Sequence, residues 1–195
     1  MNVGDSDAAQ LNQLVAENTA LRAALAEALA RVQSLEQLAD SDTLTPLPNR
    51  RAFIRRLDVV IRHATRHHTP AAVLYIDLDG LKAINDAYGH PVGDAVLIHV
   101  AQILTESLRA TDMVARIGGD EFGLILDHLN QADASAKAEL LIKQVTAAHF
   151  AVGNTKVNIR ITIGLAMVRT GESVDSLIER ADAAMYAKRL YRSQI

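Results

Sequence analysis

The sequence predicts an α+β (or α/β) sandwich, with helices against a mostly antiparallel sheet, preceded by a long coiled-coil helix. Three observations carry that prediction. From Ala8 to Thr45 there is neither Gly nor Pro, and apolar residues recur in heptads. Ala71 to Asp77 is a short, almost wholly apolar run, the mark of a central strand buried on both faces. Val157, Ile159, Ile161, Ile163, Leu165 and Met167 alternate at period two, which predicts a strand with one buried face.

In the heptads, Leu11, Asn18, Leu25, Val32 and Ala39 take position a, and Leu14, Leu21, Ala28 and Leu35 take position d. Glu17 would face Arg22 of a parallel partner, and Arg31 would face Glu36. A polar Asn18 in the seam favours two strands in register at some cost in stability. The expectation is a parallel homodimer through residues 8–39. The alternative, a lone amphipathic helix, draws on the extra apolar residues Val15, Leu29 and Leu38.

Asp42 to Arg50 holds Pro46 and Pro48, which cannot continue a helix, so the domain boundary falls here: 1–41 and 42–195. A helix follows from Arg51 to about His67, with Phe53, Ile54, Leu57, Val60 and Ile61 at core spacing. His67-His68 reads as solvated loop rather than metal ligand, with no third ligand nearby in sequence. After the Ala71–Asp77 strand come a helix carrying Lys82, Ile84, Asn85 and Tyr88, an interruption at Gly89–Gly93, and a helix opened by Asp94 and running to about Arg109. Ala132 to about His149 is a further helix. Val152 to Val157 is a tight hairpin corner, and Val174 to about Leu190 is the last helix.

Between them lies Arg116-Ile117-Gly118-Gly119-Asp120-Glu121-Phe122, which reads as strand, two-glycine turn, strand. Glycines there permit positive φ and the approach of a bulky ligand. Two carboxylates beside an open turn suit a hard cation carrying phosphate, and Asp77, at the end of a buried strand, is costly unless paired or bound to metal. The five residues Gly118 to Phe122 alone would equally fit an ordinary hairpin with solvated acids.

Composition narrows the rest. A net charge of −3 gives no electrostatic case for DNA, and zero cysteines exclude disulfides, thiolate catalysis and Cys-ligated zinc. No basic-then-apolar leader and no membrane-length apolar span are seen, so the expected location is the cytoplasm.

Four motifs in order resemble the GGDEF family of diguanylate cyclases over Asp42 to about Arg189. They are Asp42-x-Leu44-Thr45-x-Leu47-x-Asn49-Arg50; Asp77-x-Asp79-x-x-Lys82-x-Ile84-Asn85-Asp86; Gly89-His90-x-x-Gly93-Asp94; and Gly118 to Phe122. The resemblance implies a palm-like sheet of the nucleotide-cyclase type and the joining of two GTP into cyclic di-GMP with release of pyrophosphate. It also implies roles. Asp77, Asp120 and the Leu78 carbonyl would hold Mg²⁺, with Mn²⁺ as an alternative. Glu121 would bind a second metal or take the 3′-hydroxyl proton. The N–H groups of Gly118 and Gly119, with Lys82, would contact phosphate, and Asn85 and Asp94 would read guanine. A carboxylate accepts from guanine N1–H and the 2-amino group together, which adenine does not offer. The ordinary readings are helix caps for Asn85 and Asp94 and a solvated lysine for Lys82.

The last helix departs from the family pattern. Either Arg189 stands without a gap where the family has Lys, or one residue is deleted and Lys188 and Arg192 serve. Arg109-Ala110-Thr111-Asp112 is similar to the family's product-inhibition motif, with a surface salt bridge as the ordinary reading. The expected activity is a dimeric cyclase inhibited by its product. The alternative is a catalytically weak or idle module serving as a receptor for GTP or cyclic di-GMP, while a bare dimerisation adaptor would leave the acids unexplained.

Overall fold

A computed structural model describes residues 3–152 and 155–192, with side chains at all of these but 3–11, 33–38 and 192. It divides into two compact units, Met1–Asp40 and Ser41–Ile195.

The first unit is one unbroken helix, α1 (Val3–Asp40). Heptad positions Leu14, Leu21, Leu25 and Val32, and also Leu29, are 51–63% exposed on the single chain. A helix of this length with an uncovered leucine row has no core of its own. The expected seam residues Leu11 and Leu35, and Glu36, lie outside the described side chains.

The second unit is built on a four-stranded sheet with the order β2-β3-β1-β6, all neighbours antiparallel. Its strands are β1 (Ala71–Asp79), β2 (Met113–Arg116), β3 (Glu121–Asp127) and β6 (Arg160–Met167). The helices are α2 (Arg50–His67), α3 (Leu81–Tyr88), α4 (His90–Glu106), α5 (Gln131–Ala147) and α6 (Val174–Arg192). Period two divides the strands between two cores. Leu74, Ile76, Leu78, Phe122, Leu124, Ile161 and Ile163 pack with Val96, Val100 and Leu104 of α4 and Leu141 and Val145 of α5. On the other face Val73, Tyr75, Ala115 and Ile125 pack with Phe53, Leu57 and Val60 of α2 and Leu177, Ala181 and Met185 of α6. Burying side chains of this size contributes about 1.5–3 kcal/mol each.

Local signals explain the boundaries. Asn49 caps α2 by accepting from the Ala52 N–H at 3.1 Å, which starts the helix at Arg50. Gly164 lets α6 lie directly on the sheet, since a Cβ there would stand 2.0 Å from the Ala181 carbonyl oxygen.

Several boundaries differ from the sequence reading. The interruption after α3 is Gly89 alone, at φ +87°, and α4 opens at His90 with Pro91 in its first turn rather than at Asp94. Proline is tolerated there because the first-turn N–H has no helical acceptor. The run from Val157 to Met167 is two strands. β5 (Thr155–Val157) pairs with β4 (Phe150–Val152), their corner lying outside the described residues, and β6 pairs with β1. β6 is also buried on both faces for most of its length, because α5 and α6 cover opposite sides. The proline segment is more than a linker: Asn49 bridges Arg116 in parallel, and the Arg116 N–H donates to the Pro48 carbonyl at 2.9 Å.

Candidate active site

The ladder between β1 and β3 sets Asp77 opposite Glu121. Cross-strand partners point to the same face, so sheet register alone brings the two acids together. Asp120 precedes β3, and its carbonyl accepts from the Leu78 N–H at 2.9 Å, which locks the turn to the end of β1. Asp79, one more alternation along β1, accepts from the Thr162 hydroxyl at 2.8 Å.

Asp77 is 3% exposed. Burial raises its pKa from 3.8 to about 6; the guanidinium of Arg189 works against this, while Asp120, Asp79 and Glu121 add to it. Arg189 Nη1 stands 2.8 Å from Asp77 Oδ2, an ion-pair distance. Oδ2 is buried and, beyond this ion pair, has no hydrogen-bond partner. A buried carboxylate oxygen without a hydrogen bond, among three further carboxylates, fits a hard cation. Among the described residues no three His, Cys, Asp or Glu side chains form a ready-made metal cage. Mg²⁺ does not need one, since it takes one or two carboxylates and completes its shell with water and substrate phosphate.

A cleft of about 460 Å³ opens beside the turn, lined by Lys82, Asn85, Asp86, His90, Asp94, Arg116, Gly119 and Asp120 among others. Thus α3 and α4 bring Lys82, Asn85 and Asp94 to Asp120. Gly93 is required here because a Cβ would stand 1.9 Å from Asn85 Oδ1. That oxygen is buried without a hydrogen bond.

The glycine turn differs from expectation. Neither Gly118 nor Gly119 has the positive φ that the sequence suggested. Gly118 matters through space, since a Cβ would meet Glu121 Oε2 at 2.3 Å, and Gly119 faces open space. The Gly118 N–H already donates to the Glu121 carbonyl at 3.3 Å, so it is not poised for phosphate.

On α6, Arg189 reaches Asp77, whereas Lys188 Nζ donates to the Ile163 carbonyl at 3.0 Å. Consecutive helical residues are rotated by about 100°, which separates the two. The side chain of Arg192 lies outside the described ones. Arg109 and Asp112 meet through the backbone: the Arg109 N–H donates to Asp112 Oδ2 at 3.1 Å, and the Asp127 N–H donates to Oδ1 at 3.4 Å. They line a separate hollow of about 320 Å³ with Pro48 and Leu108. His67 and His68 do not act as a pair. The ring of His67 packs on His63 at 4.5 Å between centroids, and His68 takes φ +54° as the C-cap of α2.

Two groups were not visible as site residues in the sequence. Arg116 donates to the Gly119 carbonyl at 2.7 Å from Nη2 and pairs with Asp42 Oδ1 at 3.1 Å. Burial alone would raise the Asp42 pKa, but hydrogen bonds from Thr45 and Arg116 hold it below 3.8. This strut ties the opening segment to the glycine turn. The other group is Tyr75, whose hydroxyl donates to Glu121 Oε2 at 3.4 Å. Both sit in core-like strand contexts, where sequence pattern signals packing rather than a site.

Residues 39–194 match the family model described as "Diguanylate cyclase, GGDEF domain". The chain belongs to the GGDEF diguanylate cyclase family. It is 44% identical over 164 residues to the bifunctional diguanylate cyclase/cyclic di-GMP phosphodiesterase MucR of Pseudomonas aeruginosa, covering 83% of this chain and 24% of MucR. It is 40% identical over 197 residues to diguanylate cyclase TpbB of the same species, covering 97% and 45%. The chain therefore spans less than half the length of these curated relatives. Among solved structures, the coiled coil and GGDEF domain of DgcB from Caulobacter crescentus, in complex with c-di-GMP, aligns with a TM-score of 0.75 at 32% identity, covering 87% of this chain and 94% of that one. The expected α+β fold of the family is thus shown. Diguanylate cyclases of this family generally depend on a divalent metal. No helix among the described residues is long and apolar enough to cross a membrane.

Proposed function

We propose that this chain is a diguanylate cyclase that condenses two GTP into cyclic di-GMP with release of two pyrophosphates. The observation that carries the proposal is the buried Asp77 carboxylate, opposite Glu121 and near Asp120, which lines a cleft holding Asn85 and Asp94. An idle receptor gains nothing from a buried acid whose charge is disfavoured, since retaining such a group costs stability.

Asn85 and Asp94 would receive guanine in the cleft, with the Asp94 carboxylate accepting from N1–H and the 2-amino group. Lys82 and Arg189 would receive the triphosphate; on moving to it, Arg189 releases Asp77. Asp77, Asp120 and the Leu78 carbonyl would hold Mg²⁺, which supplies charge neutralisation at the phosphates. Glu121 would take the proton of the 3′-hydroxyl or share in holding metal. The 3′-oxygen of each GTP forms a bond to the α-phosphorus of the other, the α–β P–O bond breaks, and pyrophosphate leaves with its electrons. Each active site would hold one GTP, so two domains must face each other. The exposed leucine row of α1 is suited to pairing two copies in parallel. The domains would be 1–41 and 42–195, working in the cytoplasm. Arg109 and Asp112 would take product in their own hollow, giving feedback.

The test is chromatography of purified protein incubated with GTP and Mg²⁺. The proposal expects cyclic di-GMP from the native chain and none from Glu121→Gln of equal fold. Binding of GTP or cyclic di-GMP without turnover would favour the receptor reading.

A further inference from the structure

Glu121 does not extend freely from its strand. Its Oε2 accepts from the Tyr75 hydroxyl at 3.4 Å and lies close over Gly118, where an added Cβ would stand 2.3 Å from it. Tyr75 lies one alternation before Asp77 on β1, so both point to the face that carries Glu121. It is 5% exposed, and its neighbours across the ladders are Gly123 and Gly164. The missing side chains at those two positions admit the Phe53 ring and the α6 backbone, and Tyr75 is buried in the same cluster as Phe53, Ala181 and Met185. Burial first, and then the charge of Glu121, push the Tyr75 hydroxyl above its usual range. The charge of Arg50, at the start of α2, works against this shift, and that of Asp182 of α6 adds to it.

We propose that Tyr75 is a positioning residue for Glu121: its hydroxyl fixes the carboxylate beside Gly118 and leaves the second oxygen for the reacting groups. A core tyrosine whose hydroxyl served packing alone would not need to meet a carboxylate beside the glycine turn. A preorganised acceptor saves the cost of ordering it during the reaction. This inference rests on the reading of Glu121 as a reaction-site group, so its test includes a measurement that needs no turnover.

Tyr75→Phe removes one oxygen and keeps the ring. The expected result is a kcat lowered about fivefold to tenfold, with KM for GTP within about twofold, because the guanine cleft does not include Tyr75. In a Glu121→Asp background the shorter acid no longer reaches the phenol. There Tyr75→Phe should change kcat less than about twofold, a non-additive cycle. Independently, the side-chain carboxyl ¹³C resonance of Glu121, assigned by its loss in Glu121→Gln, should move in Tyr75→Phe. An unmoved resonance, an unchanged kcat in an active enzyme, or additive losses in the cycle would overturn the proposal. If the native chain makes no cyclic di-GMP, the proposed function fails, while the resonance still decides the role of Tyr75.

Discussion

Asp77→Asn should stabilise the metal-free protein while ending its activity. Asp77 has a folded pKa of about 6 against 3.8 when exposed in the unfolded chain, with burial the leading cause. A carboxylate whose pKa is raised by folding binds its proton more tightly in the folded state. Its contribution is therefore neutral below pH 3.8, and it becomes a growing penalty as pH rises through 6. At full effect that displacement corresponds to about 3 kcal/mol. That figure already includes the opposing charge of Arg189, which is half exposed, and solvent screening reduces it further. The penalty relieved at pH 8 is then about 1–3 kcal/mol. The assay is urea unfolding in EDTA, native against Asp77→Asn, at pH 8 and pH 4. The variant should be more stable by that amount at pH 8 and nearly equal at pH 4. Added Mg²⁺ should raise the midpoint of the native chain and leave Asp77→Asn unmoved. An Asn variant less stable at pH 8, or a gain that persists unchanged at pH 4, would refute the electrostatic account of this carboxylate.

Three further outcomes follow from the same geometry. Asp94→Ser should weaken the preference for GTP over ATP by about tenfold or more, measured as the ratio of kcat/KM, because the paired acceptor is gone. Arg109→Ala should raise the product concentration needed for half-inhibition by about tenfold, with initial rate within about twofold, since its hollow is distinct from the Asp94 cleft. Removing residues 1–39 should leave a folded domain, since both cores lie after Ser41. Its specific activity should rise with concentration across the micromolar range, because the helix would otherwise supply an effective concentration of roughly millimolar.

The sheet was legible because its strands carry unambiguous patterns: the apolar Ala71–Asp77 run and the alternation through Ile161 and Ile163 each fix a face. The carboxylate cluster was legible from motif order. What sequence left open is decided by rotation and register. Lys188 and Arg189 are adjacent in sequence, and only the seating of α6 on Gly164 determines that Arg189 turns to Asp77 while Lys188 turns to the β6 backbone. The opening of α4 was misplaced because Gly89-His90-Pro91 carries breaker residues, yet Pro91 sits in the first turn, where its missing N–H costs nothing. Tyr75 and Arg116 were hidden for a different reason. Their partners, Glu121 and Asp42, are 46 and 74 positions away, and only strand pairing brings them close.

The central claim is that the Asp77–Asp120–Glu121 cluster and the Asp94 cleft together turn GTP into a cyclic dinucleotide. The most direct test is a ³¹P NMR time course of the native chain with GTP and Mg²⁺. The account predicts loss of the GTP signals with two pyrophosphates appearing for each cyclic di-GMP, and no such conversion with ATP. Unchanged GTP over hours at micromolar protein, or hydrolysis to GDP and inorganic phosphate, would contradict it.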